Sequence, residues 1–193
     1  MDDEHIPKAI PSSIKEALSS WLGEGKISEI HRDFYTKVSG HKFFQGNCLE
    51  KAIFISLPDK KIGLSPVMIL SNPCDTELKN KSKRAPRITY CAVKNLKDFE
   101  KILIKYSGMS KEEVQSYIAN VKSQYVSDVV YLPPGGDSFV ERVAILSQSV
   151  STDLRTLDDT KPKVISCLSQ MAYYLFLTKL SIHYLRFGDI KSQ

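Results

Sequence analysis

From residue 43 onward the chain breaks into short apolar runs separated by turn residues, and this rhythm constrains its fold more than any other feature. Phe43-Phe44 precedes Gly46-Asn47, and then come Ala52-Ile53-Phe54-Ile55, Val67-Met68-Ile69-Leu70 and Ile88-Thr89-Tyr90-Cys91-Ala92-Val93. Pro58-Asp59 and Asn72-Pro73 stand between them. Such runs, punctuated by Pro, Asn, Gly and Asp, read as strands joined by turns. Many short strands close together make a small, strongly bent sheet or barrel.

Helical segments interrupt and flank this pattern. Leu96, Phe99, Ile102, Leu103 and Tyr106 share one helical face, and Gly108 ends it. Ser110-Lys111-Glu112-Glu113 is a capping box for a second helix, whose buried face is Val114, Tyr117, Ile118 and Val121. Strands resume at residues 126–132 and, after Pro133-Pro134-Gly135-Gly136, at residues 139–148. Upstream, Ser12 or Ser13 caps a helix carrying Ile14, Leu18, Trp21 and Leu22. Residues 27–38 also read as helix, although Phe34-Tyr35-Thr36 suits a strand. Pro162 opens a last helix that runs to about Arg186. The expected fold class is α+β: a small bent antiparallel β-barrel with inserted helices, an N-terminal helical segment and a long C-terminal helix. The expected division is 1–42 as helical extension, 43–160 as barrel with a helical insertion at about 96–125, and 161–193 as a C-terminal helix packed on the barrel or on a partner.

Composition narrows the function classes. A hydrophobic content of 42% in 193 residues excludes wholesale disorder and suits one domain with appendages. The net charge of +5 permits an acidic partner without requiring one, and it comes from 21 Lys against 6 Arg. Cys48, Cys74, Cys91 and Cys167 form no C-x-x-C pair and read as reduced thiols of a cytoplasmic protein. The acidic start Met1-Asp2-Asp3-Glu4 is unlike a signal peptide. The most apolar stretch, residues 164–178, is shorter than the roughly 20 residues of a membrane span and reads as buried helix, so no membrane partner is expected.

The densest basic cluster is Lys79, Lys81, Lys83, Arg84 and Arg87, with no acid between. A basic loop beside a sheet suits contact with a phosphate backbone, or simply solvation of a polar loop. Tyr35 and Tyr90 are able to stack on bases or to pack in the core. Ser71-Asn72-Pro73-Cys74-Asp75 follows a strand; it reads as an Asn-Pro turn with a hydrogen bond from Asp75, and Cys74 as a nucleophile has no histidine near it in sequence. The four histidines show no metal-ligand spacing, and Pro133-Pro134-Gly135-Gly136-Asp137-Ser138 lacks the Lys-Ser/Thr of a phosphate-binding loop. No cofactor or metal is expected.

Several of these segments resemble the MazF/PemK family of small toxin ribonucleases. Gly46-Asn47 followed by Pro66-Val67-Met68-Ile69-Leu70-Ser71-Asn72 looks like that family's opening Gly-Asp strand and its Arg-Pro-Val strand. Ala85-Pro86-Arg87-Ile88-Thr89 is similar to its central strand. Val129-Val130-Tyr131-Leu132-Pro133, Asp137-Ser138-Phe139-Val140 and Asp153-Leu154-Arg155-Thr156-Leu157 are similar to its closing elements. The resemblance covers residues 43–160 and implies an SH3-like barrel. It also implies RNA cleavage, but the chain departs from the pattern: Ser65 stands where the family places an Arg on the scissile phosphate, and Lys94 or Asn95 stands where it places a catalytic Thr. Asp75 and Lys94 remain the candidate catalytic residues.

Two functions therefore stay open. One is an interaction or RNA-binding module in a toxin-antitoxin or defence-type system; the other is an active endoribonuclease toxin cleaving single-stranded RNA. The candidate partners are RNA, an antitoxin or larger protein, and an oligomer formed through the C-terminal helix.

Overall fold

The structure, a computed structural model, describes residues 16, 31–37, 43–56, 60–76, 86–136 and 138–184. The strands are β1 (Tyr35–Thr36), β2 (Cys48–Ser56), β3 (Lys61–Ile69), β4 (Arg87–Asn95), β5 (Val129–Leu132), β6 (Arg142–Asp153) and β7 (Val164–Leu168). The helices are α1 (Pro73–Thr76), α2 (Leu96–Tyr106), α3 (Lys111–Lys122), α4 (Arg155–Thr160) and α5 (Gln170–Tyr184). All seven strands join one antiparallel sheet in the order β1-β7-β2-β3-β4-β6-β5.

The sheet curls into a half-barrel whose two edges approach each other. The Tyr35 hydroxyl on β1 donates to the carbonyl of Pro133, just past β5, at 2.8 Å. Gly135 makes this approach possible: a Cβ there would lie 2.7 Å from the Tyr35 ring. Inside the curl, Phe34, Cys48, Met68, Cys91, Val130 and Leu146 meet Ala172, Leu175 and Phe176 of α5. The apolar face of α5 is thus buried within its own chain. Outside it, α2 and α3 cover β5 and β6 through Leu96, Phe99, Val121, Tyr131 and Val143. Leu154, Leu157 and Val164 close a third cluster over Leu49, Val67 and Tyr90.

The α2–α3 insertion lies where the periodicity places it. The capping box is formed at both ends, with Glu113 N–H donating to Ser110 Oγ at 3.2 Å and Ser110 N–H donating to Glu113 Oε2 at 2.7 Å. Two expectations are corrected. Residues 164–168 are strand β7, not the start of a long helix, because Val164 and Ser166 pair with β2 and Cys167 and Leu168 pair with β1. A buried run of about five residues is ambiguous between strand and helix until a partner strand exists. Within residues 31–37, the described part of the expected helix of residues 27–38, His31 and Arg32 are helical and the chain then turns into β1. Consequently the sheet reaches beyond residues 43–160 at both ends. The expected helix of residues 12–22 lies outside the described residues except for Glu16, which is helical. No helix among the described residues is long and apolar enough to cross a membrane.

Candidate functional site

Where β4 runs into α2, the chain opens a cleft of about 490 Å³. One wall comes from the first turns of α2, with Asn95, Lys97, Asp98 and Lys101. The other is the segment entering β6, with Pro134, Phe139, Val140 and Glu141. The walls are tied at their base. Leu96 N–H, which has no partner within its own helix, donates to the Glu141 carbonyl at 2.9 Å, and Asn95 pairs with Arg142.

Phe139 dominates the surface of this cleft, with its side chain 96% exposed. A large aromatic so placed on a polar loop contributes no packing and offers a free ring face. The charges lining the cleft are Lys97, Lys101, Asp98 and Glu141. Lys101 Nζ lies 3.0 Å from Asp98 Oδ1, and Lys122 Nζ lies 2.7 Å from Glu141 Oε1. Lys101's hydrogen bond is the main reason the Asp98 carboxyl is held below its ordinary range, with Asn95 and Lys94 adding to it. For Glu141, burial pushes the carboxyl up, but hydrogen bonds from Lys122 and Tyr131 and the charges of Lys122 and Lys97 outweigh it and bring the group down. Lys97 and Lys101 thus balance Asp98 and Glu141 within the cleft lining, while Lys94 and Lys122 act on those two carboxylates from its margins. Carboxylates held so firmly in the ionised form are weak bases, and neither is tuned for proton abstraction near neutral pH.

Behind the cleft wall, Glu141 accepts a hydrogen bond from the Tyr131 hydroxyl; burial, helped by this bond and the Glu141 charge, raises the Tyr131 phenol above its ordinary value. The His31 ring sits 5.0 Å from the Tyr131 ring, and burial lowers its titration while Glu141 opposes this.

The structure separates the candidates read from the sequence. Lys94 is the penultimate residue of β4, beside the cleft and close enough to act on Asp98. Asp75 lies in α1, near the opposite end of β4: Thr89 N–H donates to Ser71 Oγ at 2.6 Å, and Ser71 N–H donates to the Thr89 carbonyl. From Thr89 to Lys94 is five residues, about 17 Å along a strand, so Asp75 and Lys94 do not form one catalytic pair. Arg87 begins β4 and is engaged by β6, donating to the Ser151 carbonyl at 2.8 Å. Lys79, Lys81, Lys83 and Arg84 lie outside the described residues.

Other readings change as well. In the Asn-Pro turn, Asn72 Oδ1 accepts from Cys74 N–H at 3.0 Å and is in the right place to cap the single turn of α1, while the side chain of Asp75 lies outside what the structure describes. Tyr35 and Tyr90 are structural, their hydroxyls bonded to the carbonyls of Pro133 and Ile53. The cleft residues Lys97, Lys101 and Phe139 were missed. Their signals were a Lys-x-x-x-Lys spacing that puts both cations on one helix face, and an aromatic following a Gly-Gly-Asp-Ser loop. Among the described residues, no group of three His, Cys, Asp or Glu side chains is placed to hold a metal ion.

No protein-family model matches the chain, and no curated protein matches it in sequence.

Proposed function

We propose that this protein is a divergent MazF/PemK-like, SH3-like barrel that binds single-stranded RNA in the cleft between α2 and the segment entering β6, and that it holds the strand rather than cutting it. The observation that carries this reading is the fully presented Phe139 ring beside Lys97 and Lys101 of the cleft wall. Proteins that grip single strands combine stacking aromatics with cations that follow the backbone. Phe139 serves as the stacking platform, and Lys97 and Lys101 as phosphate contacts. The departures from the ribonuclease pattern at Ser65 and Lys94, and the low carboxyl groups of Asp98 and Glu141, favour retention over cleavage. A place in a toxin-antitoxin or defence-type system follows from the family resemblance alone.

Fluorescence anisotropy with a labelled single-stranded RNA tests this, with a gel read in parallel for cleavage. Binding should weaken as salt rises. Phe139→Ala should cost about 1–3 kcal/mol of affinity, the range for one stacked base, with no loss of stability. Absence of salt-sensitive binding, or binding indifferent to Phe139→Ala, refutes the reading. Cleavage by the wild type would move the protein to the endoribonuclease alternative.

A second reading, a protein-interaction module, is favoured by one observation. Ile62 and Leu64 on the β2–β3 ribbon are 71% and 61% exposed, and they pair across strands with Ile55 and Ile53. Ile62→Lys with Leu64→Lys should abolish any self-association seen by light scattering if that ribbon is the contact.

A further inference from the structure

Lys179 of α5 is only 3% exposed and sits under the sheet, far from solvent. A buried lysine needs acceptors, and here one residue supplies two: its Nζ donates to the Gln124 carbonyl at 2.9 Å and to Gln124 Oε1 at 3.0 Å. Gln124 lies just past the end of α3 in a left-handed conformation, with φ of 60°. Both polar atoms of its side-chain amide are engaged. Nε2 donates to the Tyr131 carbonyl at 2.7 Å, and Oε1 accepts from Tyr131 N–H at 3.2 Å. The amide therefore acts as a partner strand for β5, an edge of the sheet. Tyr131 then passes the constraint outward, its hydroxyl donating to Glu141 in the cleft wall.

We propose that Lys179 is a positioning residue for the cleft: through Gln124 and Tyr131 it sets where the Glu141 carboxylate stands, coupling the seating of α5 to the charge and shape of the binding wall. Its effect on RNA affinity rests on the function proposed above; its effect on Glu141 does not. The amide of Gln124 has two possible orientations, and only one presents Oε1 to both Lys179 and Tyr131 N–H. The Tyr131 backbone pair favours that orientation, and the Lys179 donors to the Gln124 carbonyl and Oε1 anchor the residue in place; removing Lys179 deletes that anchor. Asp128, in the turn before β5, is the charged group acting on Lys179 through space, and Lys122 stands at the far end of the relay on Glu141. Connected buried networks of this kind hold their members in one arrangement, and losing a link loosens the rest.

Lys179→Met keeps the apolar stem and removes the donors. In the full-length protein, the Glu141 carboxyl is titrated by carbon-13 NMR, and affinity is read with a fluorescein-labelled eight-uridine RNA. Glu141 should titrate at higher pH than in the wild type, because the Tyr131 hydroxyl no longer holds it. Affinity should weaken about two- to tenfold, the size of one net hydrogen bond. Leu175→Ala, a buried change in the same helix, should leave the Glu141 titration unmoved. An unchanged Glu141 in Lys179→Met, or an equal shift in Leu175→Ala, overturns the proposal. If Lys179→Met does not fold, Gln124→Met removes the middle link and carries the same expectation. If the wild type binds no RNA, the function proposed above fails, while the Glu141 titration still decides the relay.

Discussion

Raising the pH from 7 to 8.5 should stabilise this protein, and Lys179 is the reason. Burial pulls its ammonium down from 10.5 to about 7, opposed only in part by the charge of Asp128. The geometry agrees, because a neutral amine has two N–H groups and Nζ faces two acceptors. In the unfolded chain the same lysine stays protonated to about pH 10. Between those values the unfolded state binds more protons than the folded one, so stability rises with pH. Below pH 7 both states carry the proton, and the contribution is flat at its least favourable. With these two values, linkage gives a gain of about 1.7 kcal/mol from pH 7 to 8.5. The buried thiols work against it. Burial raises Cys48 to about 11 and also raises Cys91, so both stay protonated in the fold while unfolded thiols begin to ionise. Their opposing contribution is about 0.3 kcal/mol over the same window. His31, lowered by burial against the opposing charge of Glu141, works in the same direction as Lys179. The net gain of about 1.4 kcal/mol should raise the urea midpoint by about 0.7 M, taking m near 2 kcal/mol per M. Urea melts followed by far-ultraviolet circular dichroism at pH 7.0, 7.5, 8.0 and 8.5 provide the assay, with Lys179→Met alongside. The wild type should climb, and the variant should stay level or fall slightly. A flat or falling wild-type midpoint, or an equal climb in Lys179→Met, refutes the reasoning.

Three further outcomes follow from the same structure. Native protein should react with one equivalent of an aromatic disulfide thiol reagent, at Cys74, and with four after denaturation, because Cys48, Cys91 and Cys167 are buried; two or more fast equivalents in the native state would contradict that placement. Gly135→Ala should cost about 1–3 kcal/mol, since its φ is 150° and the new Cβ would meet a Tyr35 ring whose hydroxyl is tied to Pro133; a thermal melt unchanged by this substitution would mean that the two sheet edges are not held together there. Ser110→Ala should cost about 1 kcal/mol by removing the side-chain half of the α3 capping box, with RNA affinity preserved; equal stability would argue that the insertion is anchored by its apolar face alone.

The chain's local pattern alone determined a good deal. Strand segments around residues 52–55, 67–70 and 88–93, the α2 and α3 helices, and the capping box at Ser110 were all legible, because each rests on periodicity or on contacts three or four residues apart. Tertiary structure decided the rest. Val164 to Leu168 is a strand because β2 and β1 offer it partners, which no local pattern encodes. Tyr35 became a structural clasp because the curl of the sheet brings Pro133 to its hydroxyl, 98 residues away. Asp75 and Lys94 were separated because β4 runs between them. The cleft itself joins the start of α2 to residues 134–141, and Lys179 reaches Tyr131 only through Gln124, 55 positions earlier in the chain. Local sequence dictates which backbone each segment prefers. The burial that lowers Lys179 and the alignment that leaves Phe139 bare arise only when distant segments pack, and those long-range contacts assemble the site.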